Sequence, residues 1–63
     1  MIYPKLKGKR VEQGYTQQDM ADKLGMSVSA YNLKEQGKRQ FVIEEICEIL
    51  NILNCKFEDI FIS

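Results

Sequence analysis

Apolar residues recur along this chain at helical spacing. Pro4 suits the first turn of a helix, where a missing N–H costs nothing, and this predicts helix 1 from Pro4 to about Gln13, ending at Gly14. Leu6 and Arg10 share one face of it at i, i+4. Gly8 in its middle disfavours the helix by about 1 kcal/mol relative to Ala, so either a neighbour approaches there or the helix is marginal alone. Tyr15 is placed to staple against Met20. Thr16 is an N-cap with Asp19 in capping-box position, and Met20, Ala21 and Leu24 form the apolar stripe of helix 2, which spans Thr16 to Leu24. Gly25 ends that helix, being able to adopt the left-handed conformation. Met26 occupies a short turn, and Ser27 caps helix 3, about Ser27 to Gln36.

Helix 4 starts at Val42 or Ile43. Ile43, Ile46, Ile49, Leu50 and Leu53 form its core stripe, Glu44, Glu45, Glu48 and Asn51 lie opposite, and Asn54 is the C-cap. Phe41 points to the core, Cys55 packs in the link, and residues 57–61 form a short fifth helix that closes the core. The fold class is therefore all-α: five short helices in one compact domain over residues 1–63, with helices 2 and 3 forming a helix-turn-helix.

Charge sharpens this picture. The net charge is zero, yet residues 1–40 hold eight Lys/Arg against four Asp/Glu, whereas residues 41–63 hold one Lys against five acids. Such a dipole offers a basic face to phosphates and an acidic back to solvent or a partner. Solvated charges without a role are the plainer reading.

The run TQQDMADKLGMS followed by YNLKEQGKRQF resembles the phage repressor and Cro-type (XRE-like) helix-turn-helix family of small DNA-binding regulators. Gln17, Ala21, Gly25, Met26, Tyr31, Glu35 and Gly37 fill the family's positions in order, and flanking residues extend the match over nearly the whole chain. The resemblance implies a lambda-repressor-like domain whose third helix reads DNA. It also implies an ion pair between Arg10 and Glu35 that ties helix 1 to helix 3, and a core position for Tyr31 with its hydroxyl at the rim.

On helix 3, Val28, Ser29, Asn32 and Leu33 fall on the outer face. Val28 and Leu33 are either scattered surface apolars or contacts for thymine methyl groups, and the motif favours the second, with Ser29 or Asn32 bonding base edges. Phosphates fall to Gln17 at the start of helix 2, to Lys34, and to Lys38 and Arg39, whose loop has glycine-freed amides like the family's phosphate clamp. Lys34 and Lys9 depart from the family, which has apolar residues there. Their stems are expected to cover apolar surface while the ammonium groups reach water or phosphate.

One helix-turn-helix buries too little surface for useful specificity, so a homodimer on a pseudo-palindromic operator is expected, formed if necessary only on DNA. Ile52 lies off helix 4's main face and Ile62 ends an apolar tail, which makes these two the expected dimer surface. The function expected is a small repressor or Cro-like switch of a phage, mobile element or bacterial operon. The alternative is a protein-interaction module, such as an antitoxin whose acidic C-terminal half binds a partner. An enzyme is the weakest reading: no histidine, no nucleophile beside a base and no Gly-rich phosphate loop is present. No metal or other cofactor is expected, because Cys47 and Cys55 are not spaced as a zinc pair. Reduced cysteines and the lack of a signal peptide or long apolar run suggest a cytoplasmic protein without a membrane partner.

Overall fold

The computed structural model describes residues 3–61, and these form five α-helices: α1 (Pro4–Glu12), α2 (Gln17–Leu24), α3 (Val28–Glu35), α4 (Ile43–Leu53) and α5 (Phe57–Ile60). The ends are set by local chemistry. Thr16 Oγ1 accepts from the Asp19 amide at 3.0 Å while the Asp19 carboxylate accepts from the Thr16 amide at 2.9 Å, a reciprocal capping box at the start of α2. Ser27 Oγ caps α3 by accepting from the Ala30 amide. Gly25 stops α2 at φ +70°, and Asn54 ends α4 at φ +52°, a left-handed position that asparagine tolerates better than most residues. Lacking capping side chains at Val42 and Lys56, α4 and α5 have the carboxylates of Glu45 and Asp59 accepting from those residues' amides instead.

Leu6, Met20, Ala21, Tyr31, Phe41, Ile49, Leu53 and Ile60 form one buried core to which every helix contributes. Ala21, fully buried, stands where α2 and α3 pack together. An aromatic cluster extends that core: Phe61 meets Tyr3 edge-on at 5.2 Å and Phe41 at 6.1 Å, and Phe57 stacks on it at 5.1 Å. Gln13, just past α1, donates from Nε2 to the Leu53 carbonyl at 2.7 Å and so satisfies an end of α4.

Two packing expectations need correction. Ile43 does not join the α4 stripe: at the first position of the helix it is 68% exposed, because the core lies beneath Ile46, Ile49 and Leu53 further along. The Tyr31 hydroxyl is not at the rim but buried, donating to Glu35. Gly8 has no neighbour within 4 Å of where a Cβ would sit, so no close approach explains it.

Candidate nucleic-acid interface

Helix α3 is held in place by a buried polar cluster. Arg10 on α1 donates from Nε to Glu35 Oε2 at 2.9 Å and from its terminal nitrogen to Oε1 at 3.1 Å, a two-pronged contact matched to the planar carboxylate. Its other terminal nitrogen donates to the Tyr15 carbonyl at 2.9 Å, just ahead of α2. The Tyr31 hydroxyl donates to Glu35 at 2.6 Å, and Gln17 Nε2 donates to it at 3.4 Å. One carboxylate therefore ties α1, α2 and α3 together. Both partners of the ion pair are nearly inaccessible, 6% and 4% exposed, so neither charge is stable there without the other.

Protonation follows from this geometry. Burial pushes the Glu35 carboxyl upward, but hydrogen bonds from Arg10 and Tyr31 outweigh it and hold the group below its ordinary range. The bond to Glu35 raises Arg10 above its ordinary value despite desolvation. Tyr31 is driven upward by burial and by its hydrogen bond to Glu35. The cluster is thus one negative carboxylate, one guanidinium and one neutral phenol at neutral pH, and among the described residues no buried side-chain N or O lacks a partner.

Outside this anchor, Val28 and Ser29 are exposed, while Asn32 and Leu33 are half-buried. Gln17 sits at the first position of α2 with its amide directed to Asn32 Oδ1, 3.1 Å away, and to Glu35. Lys38 and Arg39 are exposed in the loop after α3. The backbone amides of that loop differ from expectation. Those of Lys38 and Arg39 donate to the Leu33 carbonyl and that of Gly37 to the Lys34 carbonyl, closing off the helix, so the loop presents its cationic side chains rather than spare amides.

Lys34 also differs. Its ammonium does not extend to a phosphate or to water but donates to both carboxylate oxygens of Glu45 on α4, at 2.7 and 2.8 Å, with each side chain mostly shielded. A shielded ammonium needs a counter-charge, and the N-terminal carboxylate of α4 is the one in reach. Burial raises Glu45, but the bonds from Lys34 and the Val42 amide outweigh it and lower the group. Sequence reasoning missed this pair because the partners lie on different helices; the Lys at an apolar family position was the available signal. Lys9 is half-buried and approaches Glu12 at 3.8 Å.

Of the expected dimer surface, Ile52 is half-buried and packed against the core, and Ile62 lies outside the described residues. Phe57, stacked on Phe61, is 44% exposed. Cys47 and Cys55 are free thiols. Among the described residues no helix is long and apolar enough to cross a membrane, and no cluster of His, Cys, Asp and Glu could hold a metal ion.

Two capped helices joined through a left-handed glycine, the second wedged by a buried ion pair, make up a helix-turn-helix. A helix-turn-helix family model matches residues 6–60. The chain belongs to the Cro/XRE-like helix-turn-helix family. It is thereby a DNA-binding protein of the transcriptional-regulator kind, from a family that is not typically enzymatic. No individual curated protein matches it.

Proposed function

We propose that this helix-turn-helix protein is a sequence-specific, cytoplasmic double-stranded DNA-binding repressor or Cro-like switch that occupies a pseudo-palindromic operator as a homodimer. The observation that carries the reading is the outer side of α3. Val28 and Ser29 stand exposed beside half-buried Asn32 and Leu33, on a helix anchored from behind by Arg10–Glu35 and flanked by Lys38 and Arg39. In this reading the first four residues meet base edges, while Lys38, Arg39 and the backbone amide of Gln17 at the start of α2, whose side-chain amide is engaged with Asn32 and Glu35, meet phosphates. Lys34 is left out of that set because Glu45 holds its ammonium.

Dimensions favour two copies. The domain is 25 Å along its longest axis, shorter than the roughly 34 Å of one DNA turn, so neighbouring copies fit with one α3 each in successive major grooves. Their contact is proposed for the C-terminal third, at Ile52 and at Ile62, which lies outside the described residues, with Phe57, 44% exposed, between them in sequence. Selection of bound duplexes from a random DNA pool tests the proposal, followed by stoichiometry on the enriched duplex by native mass spectrometry. An enriched site with two-fold symmetry, two protomers per duplex and affinity falling steeply with salt are expected. A pool that stays random, or binding insensitive to salt, overturns the reading.

A further inference from the structure

Three side-chain amides stand in a row where α2 meets α3. Gln17 Nε2 donates to Glu35 Oε1 at 3.4 Å and to Asn32 Oδ1 at 3.1 Å. Gln36 Nε2 donates to the same Asn32 oxygen at 2.9 Å. Each amide has a donor end and an acceptor end, so a row of amides alone could run in either direction. Here the inner end decides it. Glu35, paired with Arg10, is a carboxylate and can only accept. Gln17 must therefore turn its nitrogen inward, and the second hydrogen of that nitrogen goes to Asn32. Asn32 answers with its oxygen, and Gln36 meets that oxygen with a nitrogen.

The consequence lies at Asn32. A carbonyl oxygen has two lone pairs, and both of Asn32's are taken. Its amide nitrogen donates to no described residue. Asn32 borders a groove of about 160 Å³ lined also by Tyr3, Lys7, Gln17 and Gln36. The usual two-bond reading of adenine by asparagine needs the oxygen to accept from N6–H while the nitrogen donates to N7. With the oxygen occupied, Asn32 offers donors only. Donors match the two adjacent major-groove acceptors of guanine (N7, O6) and the O4 of thymine, whereas adenine sets its one acceptor, N7, beside the N6 donor, which a donor-only amide cannot satisfy.

We propose that Gln17 and Gln36, oriented by the buried Arg10–Glu35 pair, are positioning residues that make Asn32 a donor-only reader, selecting guanine or thymine over adenine at the base it meets. The inference rests on the DNA-binding reading above and adds a base class and two specificity-determining residues to it.

Base preference at every operator position is measured for the parent, Asn32→Ala and Gln36→Leu proteins by selection and competition binding. Asn32→Ala flattens the preference at one base pair and so locates the contact. There the parent favours guanine or thymine over adenine by about tenfold. Gln36→Leu, at an exposed position that leaves the fold intact, frees one lone pair and raises adenine about tenfold relative to the parent ranking. A merely structural role for Gln36 would weaken all sequences alike and leave the ranking unchanged, which overturns the proposal, as does a parent preference for adenine. NMR of the side-chain amides in the free protein reads the polarity independently of DNA. Slowed hydrogen exchange at the Gln17 NH2 with fast exchange at the Asn32 NH2 supports it, and the reverse overturns it. A protein that shows the expected exchange pattern yet enriches no duplex would overturn the DNA-binding reading while leaving the amide polarity standing.

Discussion

The half of the molecule built from α1, α2 and α3 is held by directional bonds, and the half built from α4 and α5 by packing. In the first, a single carboxylate, Glu35, receives Arg10, Tyr31 and Gln17, and each of those bonds fixes an angle as well as a distance. In the second, Ile49, Leu53 and Ile60 are buried with no polar network among them, and Phe41, Phe57 and Phe61 meet ring to ring. Apolar burial is roughly proportional to area and indifferent to orientation, so it supplies stability without aiming anything. Charge-assisted bonds add less net stability for their strength, because two ions must be desolvated, but they aim side chains. Under the proposed function, the half that presents a defined surface to DNA is the half built with aim.

Breaking each half at its centre gives the largest effects and tells them apart by pH. Arg10→Met leaves Glu35 buried without its partner and should cost about 3 kcal/mol, lowering the melting temperature by roughly 10–20 °C. Leu53→Ala should cost a comparable amount, about 2–5 kcal/mol, through the cavity it leaves. Glu35 in the folded protein titrates below its unfolded value of 4.5. Its contribution is therefore complete above that value and lost as pH falls through the lower, folded one. In Arg10→Met, burial without the guanidinium raises Glu35, so acid relieves the defect. The gap between parent and Arg10→Met should narrow as pH is lowered from 7 through 4.5 and beyond, whereas the Leu53→Ala gap stays constant. Denaturant melts at several pH values measure this. Parallel gaps for both variants would mean that the ion pair is no more directional in its contribution than the core.

How far each half was legible in the sequence follows the same division. Helix ends are local chemistry: Thr16, Gly25, Ser27 and Asn54 each act on their own neighbours, and the helices begin and end within a residue or so of where those residues put them. The core stripes at Met20, Ala21, Ile49 and Leu53 were legible because periodicity reports a face. It does not report how far along a helix the partner reaches, which is why Ile43 looked like core and is exposed. Arg10 and Glu35 came to notice through the family resemblance, and the structure sets them 2.9 Å apart. Tyr31's hydroxyl, Lys34 with Glu45, and the Gln17–Asn32–Gln36 row were not legible. Lys34–Glu45 and Gln17–Asn32 join different helices, whose mutual rotation spacing does not carry. Tyr31–Glu35 and Asn32–Gln36 lie at i, i+4 on or beside α3, where spacing permits the contact but does not tell how deep a hydroxyl sits or which end an amide turns.

A smaller effect sharpens the boundary between the halves. Lys34 and Glu45 are the bridge from α3 to α4, shielded but not fully buried, so Lys34→Met should cost about 1–2 kcal/mol, between an exposed pair and a buried one. Because its ammonium is engaged with Glu45, the salt dependence of DNA binding should keep the parent slope. Lys38→Ala or Arg39→Ala should each reduce that slope by about one unit with little change in stability. A Lys34→Met slope lowered by a full unit would show that the ammonium leaves Glu45 for a phosphate on binding.

The smallest effect concerns α1, which carries Arg10 yet has Gly8 in its interior. A helical glycine disfavours the helix by about 0.5–1 kcal/mol relative to alanine, mainly through the freedom it gives the unfolded chain. Nothing lies within 4 Å of the position a Cβ would take, so an alanine methyl meets no neighbour. Gly8→Ala should therefore stabilise the protein by about that amount, raising the melting temperature by a few degrees. Since α1 is tied to α2 and α3 through the Arg10 bonds and to α4 through Gln13, firmer helicity there steadies both attachments without altering either. DNA affinity should stay within twofold of the parent, a ratio worth about 0.4 kcal/mol. A lower melting temperature would mean that the glycine accommodates a contact within the protein. A stabilised variant that binds DNA tenfold more weakly would carry a different lesson: the open space over Gly8 is then where the DNA backbone comes close, and α1 belongs to the interface as well as to its support.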